Sequence, residues 1–156
     1  TDEPGVALFL RFADCVPIVL YDREHRAIAL VHAGWRGTLA GIAAEAVRAM
    51  AAALGSQPGR LWAGIGPAIG PCCYEVGQDL AERFVGRFGP HTVSQTPGER
   101  PRLDLAAANT IALREVGVEH VMQAALCTAC HHDEFFSHRR EGGRTGRNAV
   151  IIALAP

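Results

Sequence analysis

Apolar positions come first in strand-length runs and later at helical spacing. Residues 6–12 and 16–21 are short and largely apolar, separated by Ala13-Asp14-Cys15, and they predict two strands. The polar turn Asp22-Arg23-Glu24-His25-Arg26 leads to a third run at 27–31. The length of that turn, with Asp at its start, predicts an antiparallel hairpin. After the glycine-broken stretch 34–37, Thr38 can cap a helix. Leu39, Ile42, Ala46, Met50 and Leu54 then recur near every 3.6 residues, predicting one helix that Gly55 ends.

The second half is more mixed. Short strands are expected at 61–65, 72–76, 121–126 and 149–154, and helices at 78–88 and 103–116. Three prolines and two glycines mark 89–101 as a surface loop, and 127–148 is polar and rich in Arg and Gly. Two early strands pair with no helix between them, so regular βαβ units are not expected. The pattern predicts an α+β fold, a mixed β-sheet sandwich flanked by helices.

A chain of 156 residues suits one domain spanning 1–156. At 49% hydrophobic it can build a core, and a net charge of −1 gives no field to attract nucleic acid. No stretch is long and apolar enough for a membrane span, and no secretory leader opens the chain. Five cysteines without a leader imply reduced thiols and a cytoplasmic setting. The first residue is Thr1, so an upstream portion is expected to be missing.

Cys15 and His32 are the leading chemical candidates. Each lies at the end of a predicted strand, so a shared sheet end would bring thiol and imidazole together. Such a pair can serve as nucleophile and base, or as two soft ligands for zinc or copper. Arg36 stands beside them, and Arg139, Arg140 and Arg147 lie in a glycine-rich stretch that could wrap a phosphate.

Cys127-Thr128-Ala129-Cys130-His131 matches a haem-attachment spacing, but no exporting context supports haem. A zinc knuckle there lacks a second ligand pair at the usual spacing, which favours a structural loop. The glycines at 64, 66 and 70 have the wrong spacing for a dinucleotide loop. Phe135 and Phe136 are expected in the core, and His25, His91 and His120 at the surface.

Several phrases stand in order along the chain: Ala13-Asp14-Cys15-Val16-Pro17, His32-Ala33-Gly34-Trp35-Arg36-Gly37, residues 66–77, and Phe135-Phe136-Ser137-His138-Arg139-Arg140 with Thr145-Gly146-Arg147. Together they resemble the purine nucleoside phosphorylase family formerly called multicopper polyphenol oxidases or laccase-domain proteins, over about residues 6–155. The resemblance implies a zinc-dependent enzyme splitting adenosine, inosine or methylthioadenosine with phosphate, some members also deaminating adenosine. It implies a metal held by Cys15, His32 and a second histidine from a phrase upstream, which this chain does not contain. A fold similar to toxin-deamidase-like cysteine hydrolases is also implied. Phosphate falls to Arg36, Arg139, Arg140 and Arg147, with nucleoside and phosphate as the partners and a homodimer left open. The alternatives are a metal-free cysteine hydrolase or deamidase using Cys15 and His32, a copper-dependent phenol oxidase, and a module that binds without catalysis.

Overall fold

The computed structural model describes residues 1–156. Its central sheet has four strands in the order β3-β2-β4-β7: β2 (Val16–Asp22), β3 (Ala27–Ala33), β4 (Leu61–Ile65) and β7 (His120–Gln123). The hairpin forms as expected, with β2 antiparallel to β3 and Pro17 opposite His32. Strand β4 runs antiparallel to β2, and β7 joins parallel to β4. The hairpin turn closes on Asp22, whose Oδ1 accepts hydrogen bonds from the amides of Glu24 (2.9 Å) and His25 (3.2 Å).

Strand β1 (Ala7–Phe12) does not enter this sheet. It pairs antiparallel with β8 (Asn148–Ala153) in a separate ribbon lying against β3. A third, two-residue pairing joins β5 (Val93–Ser94) to β6 (Arg102–Leu103).

The α+β class holds, with a four-stranded central sheet, two smaller two-stranded sheets and packed helices. One face of the central sheet packs on α2 (Ile42–Leu54) and α4 (Leu105–Glu115), with α3 (Gln78–Phe88) packed against α4, and all share a core that includes Ile18, Leu20, Val47, Phe84 and Leu113. On the other face Tyr21, Trp62 and Met122 of β2, β4 and β7 are exposed, whereas the His32 ring of β3 stacks on Phe12 of the β1–β8 ribbon. No helix is long and apolar enough to cross a membrane.

Two local expectations are corrected. The helix expected from Thr38 is split: α1 (Trp35–Leu39) ends at Ala40, and Gly41 takes a left-handed φ of 79° before α2 begins. Helical periodicity runs through a break that only a glycine backbone makes cheap. Residues 72–76 form a turn, not a strand, because the amides of Cys73 and Tyr74 both donate to the Gly70 carbonyl at 3.0 Å. Only Glu75 makes a strand-like bridge, to Arg102.

Helices α1 and α4 are tied at one buried point. The Asn109 amide donates to Thr38 Oγ1 (3.0 Å) and to the Leu105 carbonyl (2.8 Å). Asp104 caps α4 by accepting from the amide of Ala107 at 2.8 Å.

Candidate active-site cleft and a cysteine cluster

The antiparallel register of β2 and β3 brings the residue before β2 and the end of β3 to the same sheet end. Cys15 and His32 therefore meet the same cleft, of about 490 Å³. That size suits a small organic ligand. Two close fits set these side chains. The Cys15 Sγ packs on Gly34, where an added Cβ would lie 3.0 Å from the sulfur. The His32 ring stacks on Phe12 with centroids 4.6 Å apart.

Asp14 organises the loops around them. It has a left-handed φ of 82°, uncommon for a residue with a side chain, and is 8% exposed. Its Oδ1 accepts from the Thr128 hydroxyl and its Oδ2 from the Arg139 amide, both at 2.7 Å. Its carbonyl accepts from the amide of Ile69 at 3.0 Å. Three segments distant in sequence are thus held by the residue next to Cys15. Strained backbone that neighbouring bonds over-determine is typical of functional sites.

Burial pushes the Cys15 thiol above its ordinary range, and the Asp14 carboxylate adds to this. Desolvation lowers His32. Both groups are thereby held uncharged, and a neutral imidazole is the form that ligates a metal. Cysteine sulfur and a neutral imidazole are both donor types that zinc or copper takes, although the Cys15 thiol would have to give up its proton to the ion. Neither Cys15 nor His32 belongs to a group of three or more potential ligands with atoms mutually within 4.8 Å.

The predicted arginines separate. Arg139 and Arg147 line the cleft, as does Arg11, which the sequence reading missed. The Arg139 guanidinium lies over the Tyr74 ring at 4.9 Å and donates to the Glu75 carbonyl at 2.6 Å. Arg147 donates to the carbonyls of Thr145 and Gly146, each at 2.8 Å. Arg36 instead lies over the Trp35 ring at 4.3 Å and does not line the cleft. Arg140 is spent on structure: its guanidinium donates to the carbonyls of Thr128, Ala129 and Phe135 and pairs with Glu141 at 2.6 Å. Trp35, Tyr74 and His138 complete the aromatic and polar lining. Their signal was spatial, since residues so far apart in sequence share no spacing. Phe136, expected in the core, is 48% exposed.

A second cluster gathers away from Cys15. Cys72, Cys73, Cys127 and Cys130 have sulfurs all within 4.8 Å of one another and could hold a metal ion. Cys130 Sγ lies 3.4 Å from Cys73 Sγ and 3.5 Å from Cys72 Sγ. Burial raises Cys127, but amides of Gly70 and Cys130 outweigh this and bring it down to about 7. Burial and the neighbouring Cys130 thiol push Cys73 up to about 11, and burial raises Cys72 too. The second ligand pair judged missing beside Cys127 and Cys130 is supplied by 72 and 73, more than fifty residues away.

Comparisons with known proteins follow the same outline. Residues 1–155 match the family described as Multi-copper polyphenol oxidoreductase laccase. A Geobacillus stearothermophilus protein named Purine nucleoside phosphorylase YlmD is 40% identical over 97% of this chain and 57% of its own length. Human Purine nucleoside phosphorylase LACC1 is 35% identical over 99% of this chain and 37% of its own. A protein named Adenosine deaminase RL5, from an unknown prokaryote, is 36% identical over 95% of this chain and 58% of its own. The crystal structure of Geobacillus stearothermophilus YlmD superposes with a TM-score of 0.92 at 39% identity, over 99% of this chain and 59% of that one. The chain thus spans little more than half the length of the curated bacterial relative, and about a third of the human one.

Proposed function

The chain belongs to the Multi-copper polyphenol oxidoreductase laccase family, and we propose that its Cys15–His32 cleft carries out phosphorolysis of purine nucleosides. The observation that carries this reading is the composition of that cleft. A thiol–imidazole pair, three arginines and two aromatic rings face one space of ligand size. Relatives named purine nucleoside phosphorylases support the substrate class.

In this reading Arg11, Arg139 and Arg147 hold the phosphate, and Tyr74 or Trp35 stacks on the purine. A phosphate oxygen forms the new bond to C1′ of the ribose as the bond from C1′ to N9 breaks. The electron pair leaves with the base, and His138 donates a proton to purine N7. Arg36 and Arg140 are released from phosphate binding, because neither lines the cleft. Cys15 and His32 would supply two donors to a zinc ion, and zinc bound there would supply Lewis acidity to the leaving base. Catalytic zinc takes three protein ligands, so a further donor completes the set.

A relative named for adenosine deamination favours a second activity at the same cleft. A copper oxidase cluster is poorly supported, since only His32 and His138 of the seven histidines reach the cleft. A metal-free cysteine hydrolase, with its toxin-deamidase-like fold, rests on the Cys15–His32 pair alone. The raised thiol and lowered imidazole disfavour the thiolate that such a nucleophile needs.

The test is turnover of inosine by the full-length protein with and without inorganic phosphate. Hypoxanthine release that needs phosphate supports the reading. Equal release in its absence would move the assignment to hydrolysis.

A further inference from the structure

We propose that Cys72, Cys73, Cys127 and Cys130 bind a single zinc ion as a four-thiolate staple between the loop before α3 and the loop after β7. This site uses none of the residues assigned to nucleoside, phosphate or Cys15–His32 chemistry, and it stands whether or not the proposed activity does.

Four sulfurs around one zinc at about 2.3 Å lie roughly 3.8 Å apart in a tetrahedron. The Cys130 Sγ contacts with Cys73 and Cys72, 3.4 and 3.5 Å, and the 4.8 Å limit on all pairs bracket that value. Four soft sulfurs in a compact tetrahedral set select zinc over harder cations. A multi-iron cluster would divide its ligands among several metals and spread them further apart.

The backbone is shaped for it. Adjacent cysteines can share one metal only where the chain turns between them, and the Cys73 and Tyr74 amides make that turn on the Gly70 carbonyl. On the other side, the amides of Cys130 and His131 fold back on the Cys127 carbonyl at 3.1 and 3.0 Å, which brings the two sulfurs of the Cys-x-x-Cys pair together. The Gly70 amide donates to Cys127 Sγ at 3.2 Å, the kind of outer contact that orients a thiolate ligand. Gly70 is also where the two loops touch. A Cβ there would sit 3.3 Å from both Cys72 Sγ and the Cys127 Cβ.

The staple would firm one wall of the cleft. Thr128, inside the Cys-x-x-Cys turn, donates to Asp14 beside Cys15, and Arg140 bonds the carbonyls of Thr128 and Ala129.

The test is made on reduced wild-type protein, held with zinc chloride or with a chelator, then alkylated with iodoacetamide and mapped by peptide mass spectrometry. Zinc should protect Cys72, Cys73, Cys127 and Cys130, and the chelator should expose them. Alkylation of these four that ignores zinc overturns the proposal, as does recovery of them as disulfides from protein handled anaerobically under reductant. Metal analysis adds a second arm. Cys127→Ser with Cys130→Ser should lose one zinc equivalent, whereas Cys15→Ser should keep it together with a multi-thiolate cobalt spectrum on cobalt substitution. Loss of that spectrum in Cys15→Ser would assign the metal to the other site. The wild-type alkylation decides the matter even if the double variant misfolds.

Discussion

Asp14 concentrates more structural consequence than any other residue near the cleft. It is nearly buried, holds a left-handed backbone and accepts from Thr128 and Arg139 at 2.7 Å. Asp14→Ala should cost about 2–4 kcal/mol, the scale for removing a charged acceptor and leaving buried donors unpaired. Chemical denaturation measures it, and a loss below about 1 kcal/mol would mean the loops do not depend on Asp14. Gly34→Ala separates site from stability. Gly34 has ordinary extended angles, φ −78° and ψ 174°, so alanine suits the backbone, yet its Cβ would press on Cys15 Sγ at 3.0 Å. The variant should melt close to wild type while losing metal and turnover; intact turnover would show that the sulfur has room to move. Asp22 offers a pH test. Burial opposes its charge, but the buried Ser56 hydroxyl, together with hydrogen bonds from His25 and from the Glu24 amide, holds its carboxyl down to about 2, below the usual 3.8. A lowered folded-state pKa contributes stability that is full above the unfolded value and is lost as pH falls through the folded one. About 2 kcal/mol should therefore disappear between pH 4 and 2, and Asp22→Asn should flatten that part of the stability curve.

At the scale of elements, the hairpin and the helix contacts carry most of the argument. The hairpin was legible because an Asp-led polar turn separates two alternating runs, and antiparallel pairing then puts Cys15 and His32 at one end without further information. The division of the first helix was not legible, since Ala40 and Gly41 interrupt no hydrophobic period. The turn at 72–76 read as a strand because Cys, Tyr and Val share strand composition, while its shape comes from hydrogen bonds to Gly70. The α1–α4 contact supplies a prediction. Thr38→Val removes the acceptor for the buried Asn109 amide and should cost about 1–3 kcal/mol. Arg87→Ala, by contrast, breaks a two-bonded pair with Glu115 between α3 and α4 whose side chains are both over 40% exposed, and should cost under about 1 kcal/mol. Thermal melts of the two variants compare them directly, and an equal loss would contradict the burial argument.

At the scale of the whole molecule, function depends on loops that converge from distant sequence. Arg11 comes from β1, Tyr74 from the cysteine turn, and His138, Arg139 and Arg147 from the long segment before β8. No local pattern joins them, which is why Arg140 looked as suitable as Arg139 until its guanidinium was found filled by carbonyls. The same applies to the four cysteines, where each pair alone is an incomplete ligand set. The phrases flanking Cys15 and His32 are specific, and the family they pointed to matches over residues 1–155. The reaction proposed for this cleft transfers a ribosyl group from purine to phosphate. Phosphorus NMR of full-length protein incubated with inosine and phosphate tests it most directly. The predicted result is a growing ribose 1-phosphate signal matched by hypoxanthine and strongly reduced by Arg139→Ala. Free ribose released at the same rate with or without phosphate would contradict it.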